Sequence, residues 1–112
     1  MAMKDNLPPV HPGEYIADGI EALKINQSQL ADLLGCSRQY VNNIIKGHKP
    51  LTTDICILLP AVLGSTPEFW SGLQQRYDLK TAAADAKLQK AAAQVAERMA
   101  KLQAKSTRSR NA

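Results

Sequence analysis

Apolar residues recur at helical steps along most of this chain, and capping residues divide it into segments. Ile16, Ile20 and Leu23 follow Pro12, and their spacing predicts a first helix with these three on its buried side. Proline suits the first helical position because its missing N–H would have no partner there. His11 and Glu14 flank that start and read as capping residues, since no further metal ligands accompany them. Asn26 and Gln29 have the spacing of a capping box, and Leu30, Leu33 and Leu34 then form one apolar stripe that Gly35 ends. Ser37 caps a third helix whose apolar side is Val41, Ile44 and Ile45. Its opposite side holds Gln39, Asn42, Asn43 and Lys46, with Arg38 and Tyr40 at the two edges. Cys36, in the turn between these helices, reads as a small buried plug.

Thr52 or Thr53 caps a fourth helix, with Asp54 in its first turn, where a negative charge suits the helix dipole. Ile55, Ile57, Leu58, Leu59, Val62 and Leu63 make that helix apolar nearly all round, so it is expected to be buried or shared with another subunit. Pro60 should bend or shorten it, and Gly64 should end it. Thr66-Pro67-Glu68 starts a fifth helix, in which Phe69, Trp70, Leu73 and Tyr77 are spaced either to pack on the first and fourth helices or to form a dimer interface. From Lys80 the composition changes to Ala, Lys and Gln, all strong helix formers. Leu88, Ala92, Val95, Met99 and Leu102 form a seam over about two heptads, shorter than a coiled coil requires. This extension reads as a solvated helix with a disordered end after Ser106, or as a dimer contact, an arm for a partner protein or a basic strip for phosphates.

The second and third helices form a helix-turn-helix unit over residues 26–47. Side chains early in the second helix of such a unit reach base edges. Amides donate and accept at once, matching adenine N6/N7, and arginine matches guanine O6/N7. Arg38, Gln39 and Asn43 are therefore the leading candidates for base readout, with Tyr40 and Asn42 behind them. Gln27, Ser37, Lys46 and Lys49 are placed to anchor phosphates, helped by backbone amides at the helix starts.

The 112 residues fit a single small domain. Aromatics are scarce, with one Trp, one Phe and three Tyr, so the core must be mostly aliphatic. The net charge of +4 belongs to the tail: residues 1–79 carry six basic and eight acidic groups, whereas residues 80–112 carry eight basic and two acidic. The domain is not a general polycation, and affinity for DNA must come from the local placement of Arg38, Lys46 and Lys49. Cys36 and Cys56 match no metal spacing and read as reduced thiols of a cytoplasmic protein. Signal-peptide and membrane-span patterns are absent from the sequence. It also offers no nucleophile–base pair, metal constellation or phosphate loop, so no enzyme and no cofactor is expected.

HPGE at 11–14, the helix-turn-helix at 26–47, KGHKPLTTD at 46–54 and LGSTPEFWSGLQQRYDL at 63–79 together resemble the HigA/VapI group of antitoxins, within the phage-repressor-like (XRE) helix-turn-helix superfamily. The last of these motifs is the most specific, because simple phage repressors resemble only the earlier part. The likeness spans roughly residues 8–79. It implies an all-α fold with a five-helix phage-repressor-like domain at 11–79, an N-terminal arm at 1–10 and an added C-terminal helix within 80–112. It further implies a homodimer on a palindromic operator, autorepression, neutralisation of a HigB-type (RelE-like) mRNA-cleaving toxin, and some part for the fifth helix in the dimer. A stand-alone transcriptional regulator with no toxin partner is the alternative.

Overall fold

The computed structural model describes residues 9–111, with side chains as far as residue 105. Most of the expected N-terminal arm lies outside the described residues. Among those described, the chain forms six helices and no strand: α1 (Pro12–Leu23), α2 (Gln27–Leu34), α3 (Arg38–Ile45), α4 (Thr53–Leu63), α5 (Pro67–Ala83) and α6 (Ala86–Asn111). It divides into two compact units, one ending at Leu79 and one beginning at Lys80.

Side-chain caps start the helices of the first unit. The His11 ring caps α1, Asn26 and Gln29 close a reciprocal capping box on α2, and Ser37 and Thr52 cap α3 and α4. The Thr66 hydroxyl accepts the Phe69 N–H at 3.1 Å at the start of α5. The core draws Ile16 and Ile20 from α1, Leu30, Ala31 and Leu34 from α2, and Val41 and Ile44 from α3. To these it adds Leu51, Ile55, Cys56 and Leu59, then Trp70 and Leu73 from α5.

Four apolar positions expected inside lie at the surface: Leu23 (50% exposed), Leu33 (64%), Ile57 (58%) and Leu58 (43%). Helical spacing gives the width of an apolar stripe, but these short helices cover only its middle. Pro60 does not shorten α4, which runs on to Leu63. Proline forfeits only the bond to the Cys56 carbonyl, and the Gly64 N–H bonds to the Pro60 carbonyl at 3.0 Å to close the helix one turn later. Cys36 is half-buried, and α6 is helical to Asn111, beyond Ser106, where a disordered end was expected.

Two residues that the sequence did not mark hold the unit together. Gln74 is a buried polar side chain: its Oε1 accepts the Leu51 N–H at 2.8 Å and its Nε2 donates to Asp78 at 2.9 Å. A backbone amide in the segment between α3 and α4 thereby finds a partner on α5. Gly13 lies where α1 crosses the end of α3. A Cβ there would collide with the Ile44 carbonyl oxygen and lie 2.8 Å from the Ile45 Cα. Glycine to alanine inside a helix ordinarily stabilises by about 0.5–1 kcal/mol. At Gly13 the sign should reverse, because α1 must move off α3, at a cost of about 1–3 kcal/mol. A thermal melt of Gly13→Ala is expected to show a lower midpoint, and a midpoint at or above wild type would disprove the close approach.

In the second unit, the Asp85 carboxylate accepts the Lys87 N–H at 2.8 Å and caps α6, and Gln89 donates to the Ala83 carbonyl at 2.7 Å across the turn. Residues 81–105 are all exposed. No described helix is long and apolar enough to cross a membrane.

Candidate nucleic-acid interface

The face of interest is made where α2 meets α3. Gly35 ends α2 in the left-handed conformation (φ 74°), which its missing side chain permits without strain. The Cys36 N–H bonds back to the Ala31 carbonyl at 3.0 Å, and the chain turns at once into the Ser37 cap. Ser37 Oγ accepts the Tyr40 N–H at 3.0 Å, which fixes the start of α3 and leaves the hydroxyl proton available to an acceptor. Val41 and Ile44 are buried beneath α3, so its orientation is set by the core.

The outward side carries Arg38 and Gln39, both exposed at the first two positions of α3, with Asn42 and Asn43 half-exposed one turn on and Lys46 exposed at the C-cap. Arg38, Gln39 and Asn42 line a shallow concavity. Two amide pairs order this face. Gln39 Nε2 donates to Asn43 Oδ1 at 3.1 Å along the helix, and Asn42 Nδ2 donates to Gln27 Oε1 at 3.0 Å, joining α3 to the first residue of α2. Each pair uses one donor and one acceptor. Asn43 Nδ2, Gln39 Oε1, Gln27 Nε2 and Asn42 Oδ1 remain to bond a ligand. Tyr40 packs partly against the core at the edge of this face, and Lys49 is exposed just beyond α3. The backbone there is held by the His48 N–H on the Asn43 carbonyl at 2.8 Å.

His11 supports this arrangement from behind. Its Nδ1 accepts the Gly13 N–H at 2.9 Å, its ring meets Tyr77 edge-on at 4.8 Å between centroids, and Gly47 lies beside it. Burial is the main influence on the ring and lowers its pKa from 6.5, against the Asp78 charge, a hydrogen bond with the Lys49 backbone, and the Glu14 charge. Protonation would also remove the acceptor that caps α1. The folded state holds this proton less tightly than the unfolded chain, so the stabilisation is complete above pH 6.5 and is lost as the pH falls below that value. Urea midpoints should fall as the pH drops from neutrality through this range. His11→Asn keeps a capping acceptor without the titration and should flatten that part of the profile. An unchanged slope in the variant would exclude His11 as its source.

The residues expected at a dimer interface are divided by the structure. Trp70 and Leu73 are buried in the subunit's own core, and Trp70 Nε1 donates to the Gly64 carbonyl at 3.1 Å. Tyr77 is half-buried against His11, while Phe69 is 38% exposed and meets Tyr15 edge-on.

The helix-turn-helix family pattern matches residues 16–70, which contain the whole of this face. The chain is 40% identical over 72 residues to antitoxin HigA-1 of Vibrio cholerae, covering 63% of this chain and 68% of that one. The chain belongs to the HigA family of helix-turn-helix antitoxins. A HigA-family addiction module antidote protein from Coxiella burnetii superposes with a TM-score of 0.66 at 38% identity, covering 69% of this chain and 85% of that one. Pseudomonas aeruginosa antitoxin HigA, solved with the higBA promoter, superposes with a TM-score of 0.67 at 32% identity, covering 72% of this chain and 89% of its own. The shares covered leave part of this HigA-family chain unmatched in each comparison.

Proposed function

We propose that this chain is a DNA-binding antitoxin that represses its own operon as a homodimer and neutralises a HigB-type, RelE-like toxin in the cytoplasm. The observation that carries the DNA-binding part is the exposed start of α3, with Arg38 and Gln39 fixed by the Ser37 cap and the core beneath, in a chain related to a HigA solved on promoter DNA. Arg38, Gln39 and Asn43 read base edges. Asn42, bonded to Gln27, acts first by positioning α2 against α3, and the free Gln27 amide reaches a phosphate. Ser37, Lys46 and Lys49 supply the other phosphate contacts. The domain's acidic balance makes these few cations matter, and the salt dependence of binding should scale with their number.

The dimer surface follows from what stays exposed. Trp70 and Leu73 are spent on the core, so Phe69 remains from α5, and Ile57 and Leu58 on α4 supply apolar surface that the subunit leaves uncovered. Dimerisation doubles the contacts on a palindrome, which compensates for a modest interface per subunit.

The test has two arms. In a gel shift, the DNA upstream of the chain's own coding sequence should bind ahead of unrelated DNA of equal length; equal binding would end the repressor reading. Co-expression with the product of a short adjacent reading frame should relieve the growth arrest that product causes. Operator binding without relief would leave a stand-alone regulator of the same fold.

A further inference from the structure

The extension beyond Lys80 carries an apolar stripe that its own unit does not cover. Leu88, Val95, Met99 and Leu102 are all exposed on α6, and Ala92 completes the line. Steps of four and three keep the five on one side of the helix.

The charges of α6 are sorted around this stripe. At about 100° per residue, Lys90, Glu97 and Lys101 fall on the opposite half, where Glu97 and Lys101 pair at 3.6 Å. The edge positions on one side are Gln89, Ala96 and Gln103, and on the other Lys87, Ala91, Arg98 and Lys105. Lys90, Lys101 and Glu97 thus face away from the stripe, and the other described cations of α6 lie along one edge of it. An acidic partner laid on it would meet the described cations Lys87, Arg98 and Lys105 along a single edge.

We infer that this stripe pairs with the same stripe of a second copy, giving a short parallel two-helix seam. In that arrangement Arg98 faces Gln103 of the other copy and Ala91 faces Ala96, so no like charges oppose one another between Leu88 and Leu102. Leucine, valine and methionine then meet their own kind in successive layers, and the basic half of each helix stays in water. The inference rests on the homodimer proposed above. A seam of this length is too short to hold two free chains together, but tethering in a dimer raises the local concentration of the tails to the order of millimolar. The seam then adds to the dimer without being its origin.

The experiment uses full-length chains under mild oxidation, with Val95→Cys at the centre of the stripe and Lys90→Cys on the opposite face as the control. Facing positions in such a seam bring Cβ atoms within disulfide reach, so Val95→Cys should cross-link about tenfold faster than Lys90→Cys. Burial pushes the Cys36 and Cys56 thiols up in pKa, which slows their oxidation, and the wild-type chain serves as the blank. Sedimentation equilibrium of the same samples reads the dimer independently. A dimer with fast, selective cross-linking at Val95 supports the seam. A dimer in which both variants cross-link at the same rate, or neither does, overturns the seam and leaves the dimer standing. A monomer at all concentrations overturns both.

Discussion

Replacing Trp70 by alanine is expected to destabilise the fold by about 3–5 kcal/mol, the usual cost of emptying a buried tryptophan site. The side chain is buried in the cluster shared by α1 to α5, and its ring lies 5.3 Å from that of Phe69. It also ties α5 to the end of α4, because its indole N–H satisfies the carbonyl of Gly64. Two losses therefore coincide: an apolar volume that an aliphatic core cannot refill, and a carbonyl deprived of its donor. Trp70→Phe separates them, since it keeps most of the volume and removes only the hydrogen bond, at an expected cost nearer to 1–2 kcal/mol than to that of alanine. Trp70 is the sole tryptophan, so the unfolding of both variants should be followed by helical circular dichroism and not by emission. A Trp70→Ala protein that melts like wild type but sediments as a monomer would return this residue to the subunit interface.

The capping residues were legible in the sequence because a cap is a local device. The Asn26–Gln29 box, Ser37, Thr52 and Thr66 act within three residues of their partners, and all form as their spacing indicates. Stripes were legible only as to direction. Leu30, Leu33 and Leu34 look alike in sequence, yet Leu33 faces solvent, because what covers a stripe is decided by another element. The same reason hid the residues with the most specific tertiary roles. Gly13 matters through Ile44, Gln74 through Leu51, and Gln27 through Asn42; each pair is far apart in sequence, and nothing local marks it. The outward face of α3 was readable, since its exposed half follows from the burial of Val41 and Ile44. The bond from Asn42 to Gln27 was not, because it joins two helices.

The Arg38→Ala/Gln39→Ala double variant should lose sequence-specific operator binding while keeping the fold. Each side chain that reads a base edge is worth about 1–3 kcal/mol of discrimination, and a dimer would present each substitution twice. Both side chains are exposed, and neither belongs to the core, so the thermal midpoint should stay near wild type. Weak binding to unrelated DNA should survive, because Lys46 and Lys49 remain, and the two kinds of contact respond differently to salt. Lys46→Ala should weaken binding to every sequence and flatten the salt dependence by about one ion per contact, whereas Arg38→Ala and Gln39→Ala should relax sequence preference. The bond from Gln39 to Asn43 adds a finer expectation: Gln39→Ala and Asn43→Ala should combine to less than the sum of their separate effects, since either one breaks the same amide pair. Quantitative gel shifts across a salt series, with operator and scrambled DNA, distinguish these patterns. If the double variant binds the operator as wild type does, α3 is not the helix that reads the DNA. If it loses operator and scrambled binding together, Arg38 and Gln39 anchor the backbone, and base readout falls to Asn43 and its neighbours.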